Sequence, residues 1–584
     1  MTFPSQSKSF VRAAIAGAGT VTRCGTKFKI ERHQIQTLFS HNGIKNQFLR
    51  GFSVAAHLDK NSWATVDPDK LNKDNVHRMA NLAGGKWLET TKYADVVDPL
   101  NGHVFMQMPD TSQGEVGPFV ESLSLVPKTG LHNPLKNPER YNQYAEISHK
   151  AAVALDDPEI EDFFIKCIQR VMPKSRTQAY NEIAVTRTFL KTFAGDMVRF
   201  TARGFMVAGD HAGQESKGYR FPFGPVALIA PFNFPFEIPV LQLMGCLFMG
   251  NKPVVKGSEK TSMVLEQYIR LLHACGMPLE DVDLIHSHGD TMEHLIKSAP
   301  IRLTQFTGSS MVAERLSLVT HGKVKIEDAG FDWKILGPDA ANQNLDYVAW
   351  VCDQDAYAMS GQKCSAQSIM FTHSNWMKRG ILGKIESLAT RRSLEDLTIS
   401  PVLSVTTERI KEHVDQLLKI PGAYVVFGGE ELEKHNIPKC YGAVKPTAVF
   451  VPLEEMLRNK ENFELCTTEI FGPFQVITEY DDSSVDRVIE ACERMSHHLT
   501  AAVVSSDIAF QHKILSNTVN GTTYTGIRAR TTGAPANHWF GPSNDPRGAG
   551  IGSPEAILLV WTSHREIIED RLPPPDSWTT PPPT

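Results

Sequence analysis

The residue with the clearest chemical potential is a cysteine in a loop of small residues. Cys364 lies in the segment GQKCSA at 361–366, where small neighbours leave the thiol accessible and Lys363 is adjacent in the sequence. A thiolate attacks a carbonyl carbon far better than a thiol does, so a nucleophilic cysteine needs local activation. Taken alone, a cysteine in such a loop is also typical of an inert packing residue. The case for a nucleophile therefore depends on the residues that accompany Cys364.

Two other segments carry groups that such a nucleophile would use. KIEDAG at 325–330 places Glu327 where a strand-like segment ends, and a carboxylate there can act as a general base toward Cys364 or toward a water. APFNFPFEIP at 230–239 places Asn233 between prolines, and its side-chain amide can stabilise a developing oxyanion. Each segment by itself is equally typical of a surface glutamate or a turn asparagine.

Two more segments suit a dinucleotide. PVVKGSEKT at 253–261 ends a strand-like run with Lys256 and Glu259, which can contact the oxygens of an adenosine ribose. QFTGSSMVAERL at 305–316 runs from a strand through Gly308 and Ser309 into a helix, whose first N–H groups form a site for pyrophosphate. The fingerprint G-x-G-x-x-G is absent, and a junction of this kind is unspecific when it stands alone.

The elements that must position these residues alternate between strand and helix. Short apolar runs predict strands, and the segments between them predict helices, which together indicate a parallel sheet with crossover helices. A hairpin is predicted at 203–222, a loop at 111–135, and an extended tail at 571–584, where six prolines exclude a helix. The predicted strands are 226–230, 253–256 and 283–285, and the predicted helices are 140–156, 157–172, 237–249, 261–275 and 290–298.

In their order along the chain, these segments resemble the aldehyde dehydrogenase family. The resemblance rests on PFNFP, KGSE, FTGS, Glu327 with Gly330, GQKCSA, and TEIFGPF at 468–474. It implies an α/β fold, with a Rossmann-type NAD-binding domain, an α/β catalytic domain and a small β oligomerisation element. The expected division is a transit peptide at 1–52, an NAD-binding domain at 53–335 interrupted by the hairpin 203–222, a catalytic domain at 336–545, and an oligomerisation strand with a Pro-rich tail at 546–584.

The resemblance also implies a role for each matching residue. Cys364 corresponds to the nucleophile, Glu327 to the base that activates water, and Asn233, with the backbone N–H of Cys364, to the oxyanion hole. The implied cofactor is NAD, because a 2′-phosphate would be repelled by Glu259, and the presence of Glu327 favours hydrolysis over transfer to coenzyme A. The residues that would contact the cofactor are Lys256 and Glu259 at the adenosine ribose, Gly308 and Ser309 at the pyrophosphate, and Glu469 and Phe471 at the nicotinamide ribose.

The substrate implied by the resemblance is a small aldehyde that carries a carboxylate. Ser365, Gly533 and Ala534 match the positions that anchor the α-carboxylate in the branch of the family that oxidises glutamate 5-semialdehyde, and a hydroxyl with two backbone N–H groups suits that anion. The residues of these segments are most similar to those of plant-type mitochondrial members of this branch. The alternatives are a hydrolytic dehydrogenase of succinic semialdehyde or an aliphatic aldehyde, and a member of the family without catalytic activity.

Two segments depart from the usual pattern of the family. Residues 327–330 read Glu-Asp-Ala-Gly, which places Asp328 beside the expected base and predicts that like-charge repulsion changes the titration of Glu327. Residues 539–546 read WFGPSNDP in place of the usual P-F-G-G. The second departure bears on the substrate pocket more than on the chemistry.

The charge of the chain is divided unevenly. Residues 1–52 hold eight basic residues and one acid, a charge of +7 that leaves −12 on the remainder, within a formal net charge of −5. A basic, nearly acid-free start is typical of a mitochondrial transit peptide, and Arg50 stands three residues before a cut at Ser53. The prediction is a location in the mitochondrial matrix, and the alternative is an ordinary disordered basic tail.

Composition excludes several other classes. With 584 residues, 41% hydrophobic and 21% charged, the chain is a globular protein of more than one domain. No apolar run is long enough for a membrane helix, and no basic patch outside the first 52 residues indicates nucleic-acid binding. Nine cysteines without a C-x-x-C pair and dispersed histidines predict no metal site. Apolar pieces at 203–222 and 555–561 predict edge-strand pairing between subunits of a homo-oligomer, a dimer or larger.

Overall fold

The structure, a computed structural model, describes residues 21–23, 26–28, 58–193, 196–328, 330–533 and 538–584. The chain divides into two units, Met1–Leu58 and Asp59–Thr584. In the first unit, residues 21–23 and 26–28 pair as an antiparallel hairpin. The predicted transit peptide and its cut at Ser53 otherwise lie outside the described residues, and so does Ala534.

The strands fall into one hairpin, two seven-stranded sheets and two three-stranded sheets. They are β1 (Val21–Arg23), β2 (Thr26–Phe28), β3 (His77–Arg78), β4 (Asn81–Ala83), β5 (Lys86–Leu88), β6 (Tyr93–Val97), β7 (Val104–Pro109), β8 (Phe205–Ala208), β9 (Gln214–Pro222), β10 (Pro225–Ile229) and β11 (Lys252–Lys256). They continue with β12 (Asp283–Leu284), β13 (Thr304–Gly308), β14 (Val324–Asp328), β15 (Asp332–Leu336), β16 (Gln367–His373), β17 (Tyr424–Phe427), β18 (Thr447–Phe450), β19 (Phe474–Tyr480), β20 (Thr500–Val504), β21 (Thr522–Thr525) and β22 (Thr562–Asp570).

The helices pack mainly against the two large sheets. They are α1 (Gly117–Ser124), α2 (Glu139–Ala154), α3 (Pro158–Val171), α4 (Arg176–Lys191), α5 (Asp196–Ala202), α6 (Glu237–Phe248), α7 (Met263–Ala274), α8 (Gly289–Ser298) and α9 (Ser310–Val319). They continue with α10 (Leu345–Tyr357), α11 (Ser374–Lys378), α12 (Ile381–Ala389), α13 (Thr407–Leu417), α14 (Leu453–Leu457), α15 (Lys460–Cys466), α16 (Val485–Arg494), α17 (Ile508–Leu515) and α18 (Pro554–Trp561). None of the helices in the described residues is both long and apolar enough to cross a membrane.

The first large sheet has the order β14-β13-β10-β11-β12-β4-β5. Strands β10 to β14 pair in parallel, and β4 joins β12 antiparallel. Strand β11 is buried throughout and β10 nearly so, because the crossover helices cover both faces of a parallel sheet. The strands predicted at 226–230, 253–256 and 283–285 and the helices between them are confirmed.

The second large sheet has the order β17-β18-β19-β16-β15-β20-β21. Its strands alternate between two cores, because successive side chains of a strand point to opposite faces. Trp333 and Ile335 of β15 lie in one apolar cluster, and Leu336 lies in the other. Among the described residues of this sheet, only β17, at the edge, runs antiparallel to its neighbour. The chain passes from the first sheet to the second between β14 and β15, through residues 329–331.

The third sheet, β22-β9-β8, joins the predicted hairpin to the C-terminal part of the chain. The hairpin at 203–222 is confirmed, and β9 pairs with β22 along its whole length. The strand predicted at 555–561 is wrong: these residues belong to helix α18, and β22 begins at Thr562. Ser553 caps this helix by accepting the N–H of Ala556, and Pro554 occupies its first turn, where proline is favoured.

One further prediction needs correction. The segment 111–135 is not all loop, because residues 117–124 form helix α1, with Phe119 and Leu123 buried. The Gly and Pro residues that suggested a loop instead begin this helix, since proline is tolerated in a first turn. The tail 571–584 contains no helix or strand, as its prolines predicted.

Candidate active site

Four parallel strands of the first sheet end at one edge, and each places a predicted site residue there. Lys256 ends β11, Gly308 ends β13, and Glu327 lies in the last two residues of β14, while Asn233 follows β10 by four residues. The register places Ile229 opposite Lys256 and Thr307 opposite Glu327. Because the carboxyl ends of parallel strands meet at one edge, the residues predicted from separate segments lie along a common crevice.

A buried ion pair fixes the turn that carries Asn233. The ammonium of Lys174 lies 2.9 Å from Glu182 Oε2 and donates to the carbonyl oxygen of Asn233 at 2.9 Å. The other oxygen of Glu182 accepts the N–H groups of Phe236 and Glu237 at 2.8 and 3.0 Å. Both side chains of the pair are fully buried. The main chain around Asn233 is therefore held, and its side-chain amide makes no hydrogen bond to the described residues.

Glu327 is a buried carboxylate without a fixed partner. Neither of its oxygens has a hydrogen-bond partner of good geometry among the described residues. Burial raises the pKa of Glu327 to about 7, and Asp328 adds to the shift by repulsion, as the sequence predicted. The Cys364 thiol and the Thr307 hydroxyl approach it and offset part of the rise. A carboxylate with this pKa can accept a proton near neutral pH, which suits a general base.

The loop of Cys364 lies directly against the turn that links the two sheets. A Cβ atom added to Gly330 would stand 1.9 Å from the carbonyl oxygen of Cys364 and 2.7 Å from Asp332 Oδ2. No side chain fits there, so only glycine allows the cysteine loop to approach the strand end that carries Glu327. The resemblance paired Glu327 with Gly330, and the close approach supplies the physical reason for that pairing.

The backbone before Cys364 is strained, and residues far away in the sequence hold it in place. Met359, Ser360 and Gly361 adopt positive φ angles of 56°, 54° and 67°, which are costly for the first two. Ser360 donates to the carbonyl of Ser400 and accepts its N–H at 2.8 Å. Gln362 accepts the N–H of Leu403 at 2.7 Å. These buried contacts with residues 400–403 maintain a conformation that the local sequence alone disfavours.

Cys364 rests as a neutral thiol. Burial raises the pKa of Cys364 well above its ordinary value, and the neighbouring Glu327 raises it further. An acceptor must therefore take the thiol proton before the sulfur can attack a carbonyl carbon. The carboxylate that lies close enough to the thiol to accept this proton is that of Glu327, whose own pKa is about 7.

The predicted nicotinamide-ribose residues come from the second sheet. Glu469 Oε1 accepts the N–H of Gly330 at 3.2 Å, and burial raises the pKa of Glu469 to about 8. Phe471 has a φ angle of 52°, and its ring meets that of Phe232 edge to face at 5.8 Å. Both residues therefore lie beside the turn at Gly330 and the segment that carries Asn233.

The predicted adenosine-ribose and pyrophosphate residues lie further along the same edge. Lys256 is buried, and its ammonium is 2.8 Å from Glu259 Oε1. Burial opposes ionisation of Glu259, but Lys256 outweighs it and lowers the pKa of Glu259. Ser309 is the exposed N-cap of α9 and makes no capping hydrogen bond through its side chain. A carboxylate, an ammonium and an open helix N-terminus are the groups that a dinucleotide needs, so the residues fit such a cofactor.

The predicted substrate anchor is brought together as far as it is described. Ser365 donates to Thr532 Oγ1 at 3.3 Å, and the carbonyl of Ser365 accepts from the same hydroxyl at 3.2 Å. Gly533 follows directly, and a Cβ there would stand 1.8 Å from the hydroxyl oxygen of Tyr524. Segment 531–533 therefore lies beside Cys364.

The altered segment 539–546 is held by its surroundings. Thr522 donates to the carbonyl of Trp539 at 3.0 Å, and Phe540 pairs with Ile551. Beyond it, Ile326 of β14 bonds the backbone of 547 and 549, so the segment is anchored at the edge of the first sheet beside Glu327.

The sequence did not predict the residues that hold the candidate site residues in place. Lys174 and Glu182 were not predicted, although Lys174 binds the carbonyl of Asn233 and Glu182 binds the main chain that follows it. Glu182 lies in helix α4 and Lys174 in the loop before it, and both are far from Asn233 in the sequence. A signal for Lys174 was a charged residue directly after the apolar end of α3, in the segment VMPKS.

No described group of three or more His, Cys, Asp or Glu residues could hold a metal ion.

Comparison with known proteins places this site in a family. Residues 87–544 match the family described as "Aldehyde dehydrogenase family". A protein of Arabidopsis thaliana, "Delta-1-pyrroline-5-carboxylate dehydrogenase 12A1, mitochondrial", is 56% identical over 522 residues, which cover 89% of this chain and 94% of that protein. A "Probable aldehyde dehydrogenase" of Linum usitatissimum is 58% identical with the same coverage. The solved structure of PnpE in complex with nicotinamide adenine dinucleotide has a TM-score of 0.74 at 19% identity, over 86% of this chain and 99% of that one, so the fold is shared.

The buried ion pair beneath Asn233 leads to a prediction. Lys174→Met leaves Glu182 charged and unpaired in the interior, which we expect to destabilise the protein by about 3–5 kcal/mol. The same change releases the turn of Asn233, so turnover falls as well. Thermal unfolding followed by circular dichroism measures the first effect.

Two matched variants separate the buried charge from other causes. Lys166→Met removes a lysine whose ion pairs with Asp69 and Asp162 are exposed, and it should leave the melting temperature unchanged. The double variant Lys174→Met with Glu182→Gln removes both charges, keeps an acceptor for the N–H groups of Phe236 and Glu237, and should regain most of the lost stability. A single variant as stable as the parent would contradict the role of the pair.

Proposed function

The chain belongs to the aldehyde dehydrogenase family, and within it we propose that this enzyme oxidises L-glutamate 5-semialdehyde to L-glutamate with NAD. The observation that carries the proposal is the position of the Ser365 hydroxyl beside the Cys364 nucleophile, where it donates to Thr532 Oγ1 and can donate to a carboxylate instead. The Arabidopsis relative that is 56% identical bears the name of a delta-1-pyrroline-5-carboxylate dehydrogenase, which supports this substrate.

The first half of the reaction forms a bond to sulfur. Glu327 takes the thiol proton, and the sulfur of Cys364 attacks the aldehyde carbon to give a thiohemiacetal. The negative charge that develops on the aldehyde oxygen is stabilised by the amide of Asn233 and the backbone N–H of Cys364. A bound nicotinamide cofactor supplies the acceptor for the hydride that leaves this carbon, and a thioester of Cys364 remains.

The second half of the reaction releases the acid. Glu327, once it has lost its proton, removes a proton from a water that attacks the thioester carbon. The sulfur of Cys364 leaves, and the product carries a new carboxylate. In sum, aldehyde, oxidised cofactor and water give acid, reduced cofactor and a proton. The presence of Glu327, Cys364 and Asn233 together counts against the alternative of a non-catalytic member of the family.

The chain binds a nicotinamide cofactor, and we propose NAD in preference to NADP. The carboxylate of Glu259, ionised and oriented by Lys256, suits two ribose hydroxyls and repels a 2′-phosphate. Gly308 and Ser309 would hold the pyrophosphate at the N-terminus of α9, and Glu469 and Phe471 the nicotinamide ribose.

Selection of the substrate would depend on its carboxylate. The hydroxyl of Ser365 and the backbone N–H groups of Gly533 and Ala534 would donate to this anion, which distinguishes it from a simple aliphatic aldehyde. Succinic semialdehyde also has a carboxylate, but its chain is shorter by one carbon. We therefore expect the shorter aldehyde to bind the anchor less well while its carbonyl carbon lies at Cys364.

Three further features belong to the proposal. Residues 53–335 would bind the cofactor and 336–545 would complete the catalytic site. The apolar side chains of β8 are exposed, with 54% of Phe205, 62% of Met206 and 54% of Val207 accessible, which supports pairing in a homo-oligomer of at least two subunits. A mitochondrial location, in the matrix, is supported by the basic leader 1–52 and by the word mitochondrial in the name of the Arabidopsis relative.

The experiment that tests the substrate compares aldehydes directly. Purified protein with NAD is given L-glutamate 5-semialdehyde, succinic semialdehyde and pentanal, and kcat/KM is measured from NADH absorbance. We expect the first to exceed the others by at least about tenfold, because only it reaches both the sulfur and the anchor. A higher value for succinic semialdehyde or pentanal would overturn the proposed substrate, and no NADH with any aldehyde would favour the non-catalytic alternative.

The raised pKa of Glu327 sets a pH dependence. The base acts as a carboxylate, so the hydrolytic step should accelerate as pH increases through about 7 and then level off. Rapid-quench measurement of thioester decay between pH 5.5 and 8.5 reports this step. Glu327→Gln should slow the formation of the thioester, because the base for the thiol proton is lost, and should block its hydrolysis, so the thioester accumulates and is visible by intact-mass spectrometry. A decay rate that does not change over this range would contradict the role of Glu327.

The choice of cofactor leads to a prediction for Glu259. Glu259→Ser removes a carboxylate from the adenosine-ribose site, and we expect kcat/KM for NADP to rise by about tenfold while that for NAD falls. Glu121→Ser, at an exposed position of α1, is a control that should change neither value. An unchanged ratio of NADP to NAD would show that Glu259 does not select the cofactor.

A further inference from the structure

A cluster of buried charges lies behind the loop of Cys364. Lys334 is 2.7 Å from Asp355, and Arg392 is 2.6 Å from Asp353. All four side chains are at most 6% exposed. Within each pair the charges cancel, as buried charges must for the fold to tolerate them.

Lys363 adds a third cation to this cluster without adding an anion. Its side chain is 3% exposed, and it makes no ion pair with any described residue. Its ammonium donates to the carbonyl of Gln354 at 2.9 Å and to Thr532 Oγ1 at 3.1 Å. Burial lowers the pKa of Lys363 to about 8, and Asp355 offsets only part of this effect. The cluster therefore has an uncompensated positive charge.

The other buried acid nearby does not neutralise this charge. Asp332 is fully buried, and burial raises its pKa well above the ordinary value, which disfavours its charged form. Its Oδ1 accepts the N–H of Thr500 at 2.6 Å, and its Oδ2 has no hydrogen-bond partner among the described residues. A buried and unpaired ammonium is costly, and its cost is recovered when an anion binds beside it.

The unpaired charge lies next to the proposed substrate anchor. The hydroxyl of Thr532 accepts from Lys363 and contacts Ser365 at 3.3 Å. Lys363 and Ser365 therefore both donate to the oxygen of Thr532, and the three side chains form one hydrogen-bonded group that ends beside Cys364. An anion that accepts the Ser365 hydroxyl in place of Thr532 would lie close to an ammonium in a medium of low dielectric constant, where charge–charge attraction is strong.

We propose that Lys363, acting with Thr532, supplies the positive charge that selects aldehydes carrying a carboxylate. The inference rests on the proposed function and adds to it, since Lys363 and Thr532 become determinants of specificity beside Ser365, Gly533 and Ala534. The carboxylate is the group recognised, so an aldehyde that has the carboxylate but no α-ammonium retains the advantage. A neutral aldehyde of the same length does not.

The experiment uses three aldehydes with chains of equal length and the full-length enzyme with NAD. They are L-glutamate 5-semialdehyde, 5-oxopentanoate, which lacks the ammonium, and pentanal, which lacks both charges. In Lys363→Met, which removes the charge and keeps the length, we expect kcat/KM for both carboxylated aldehydes to fall by about 30-fold or more, mainly through KM. For pentanal the change should stay within about twofold. Lys363→Arg, which keeps the charge, should retain most of the preference for carboxylated aldehydes.

A matched pair of threonines supplies the control. Thr532→Val breaks the link between Lys363 and Ser365 and should raise KM for the carboxylated aldehydes only. Thr478→Val, in β19, changes a threonine whose buried hydroxyl has no described hydrogen-bond partner, and kcat/KM should stay unchanged for all three aldehydes. Calorimetric binding of L-glutamate to Cys364→Ala, with and without Lys363→Met, measures the same charge without turnover, and the double variant should bind more weakly.

The outcomes separate this inference from the proposed function. If the wild-type enzyme does not favour the carboxylated aldehydes over pentanal, both are overturned. If it favours them and Lys363→Met keeps that preference, the role of Lys363 is overturned and the proposed substrate stands. A parallel loss for pentanal in Lys363→Met, with unchanged binding of L-glutamate, would assign Lys363 to the structure of the loop and would also overturn the inference.

Discussion

The active site depends on one close approach of two backbones. The carbonyl of Cys364 comes so near Gly330 that a methyl group on that glycine would overlap it. This approach joins the loop of the second sheet to the end of β14 in the first, and it brings the nucleophile to Glu327. The positive φ angles before Cys364 and the contacts of Ser360 with Ser400 maintain the shape that makes the approach possible. Strain in the loop is thus balanced by packing elsewhere.

The same approach creates an unusual electrostatic environment. Burial raises the pKa values of Glu327, Glu469 and Asp332. Their ionised forms are therefore less favoured near neutral pH than they would be in water. A site with few ionised acids does not repel an anionic substrate strongly. Lys363 adds a cation at one side of this region. The proposed recognition of a carboxylate and the raised pKa values of the acids therefore have one cause, the exclusion of water.

The sequence identified the candidate site residues better than the residues that hold them in place. Catalytic and cofactor residues follow strand ends, so their segments carry local signals such as GQKCSA, and the alternation of strands and helices was confirmed around them. The pair Lys174–Glu182 and the contact of Thr532 with Ser365 join positions far apart in the chain, and no local pattern records such pairings. The apolar run 555–561 is compatible with either a strand or a helix, and the cap at Ser553 with Pro554 decides for a helix. Predictions failed where tertiary contacts, rather than local sequence, decide the structure.

The contrast between the buried carboxylates indicates which one can move. Glu182 is bound by Lys174 and by two backbone N–H groups, and Asp355 is bound by Lys334 and by the N–H of Thr531. Bonds of this kind fix a side chain in one orientation. Glu327 has none of comparable quality, although its burial makes unpaired oxygens costly. A base that first serves the thiol and later a water must turn between two positions. The absence of hydrogen bonds from described residues to Glu327 is thus the structural condition for the two roles proposed for it, and the stability lost there is offset by the fixed pairs around it.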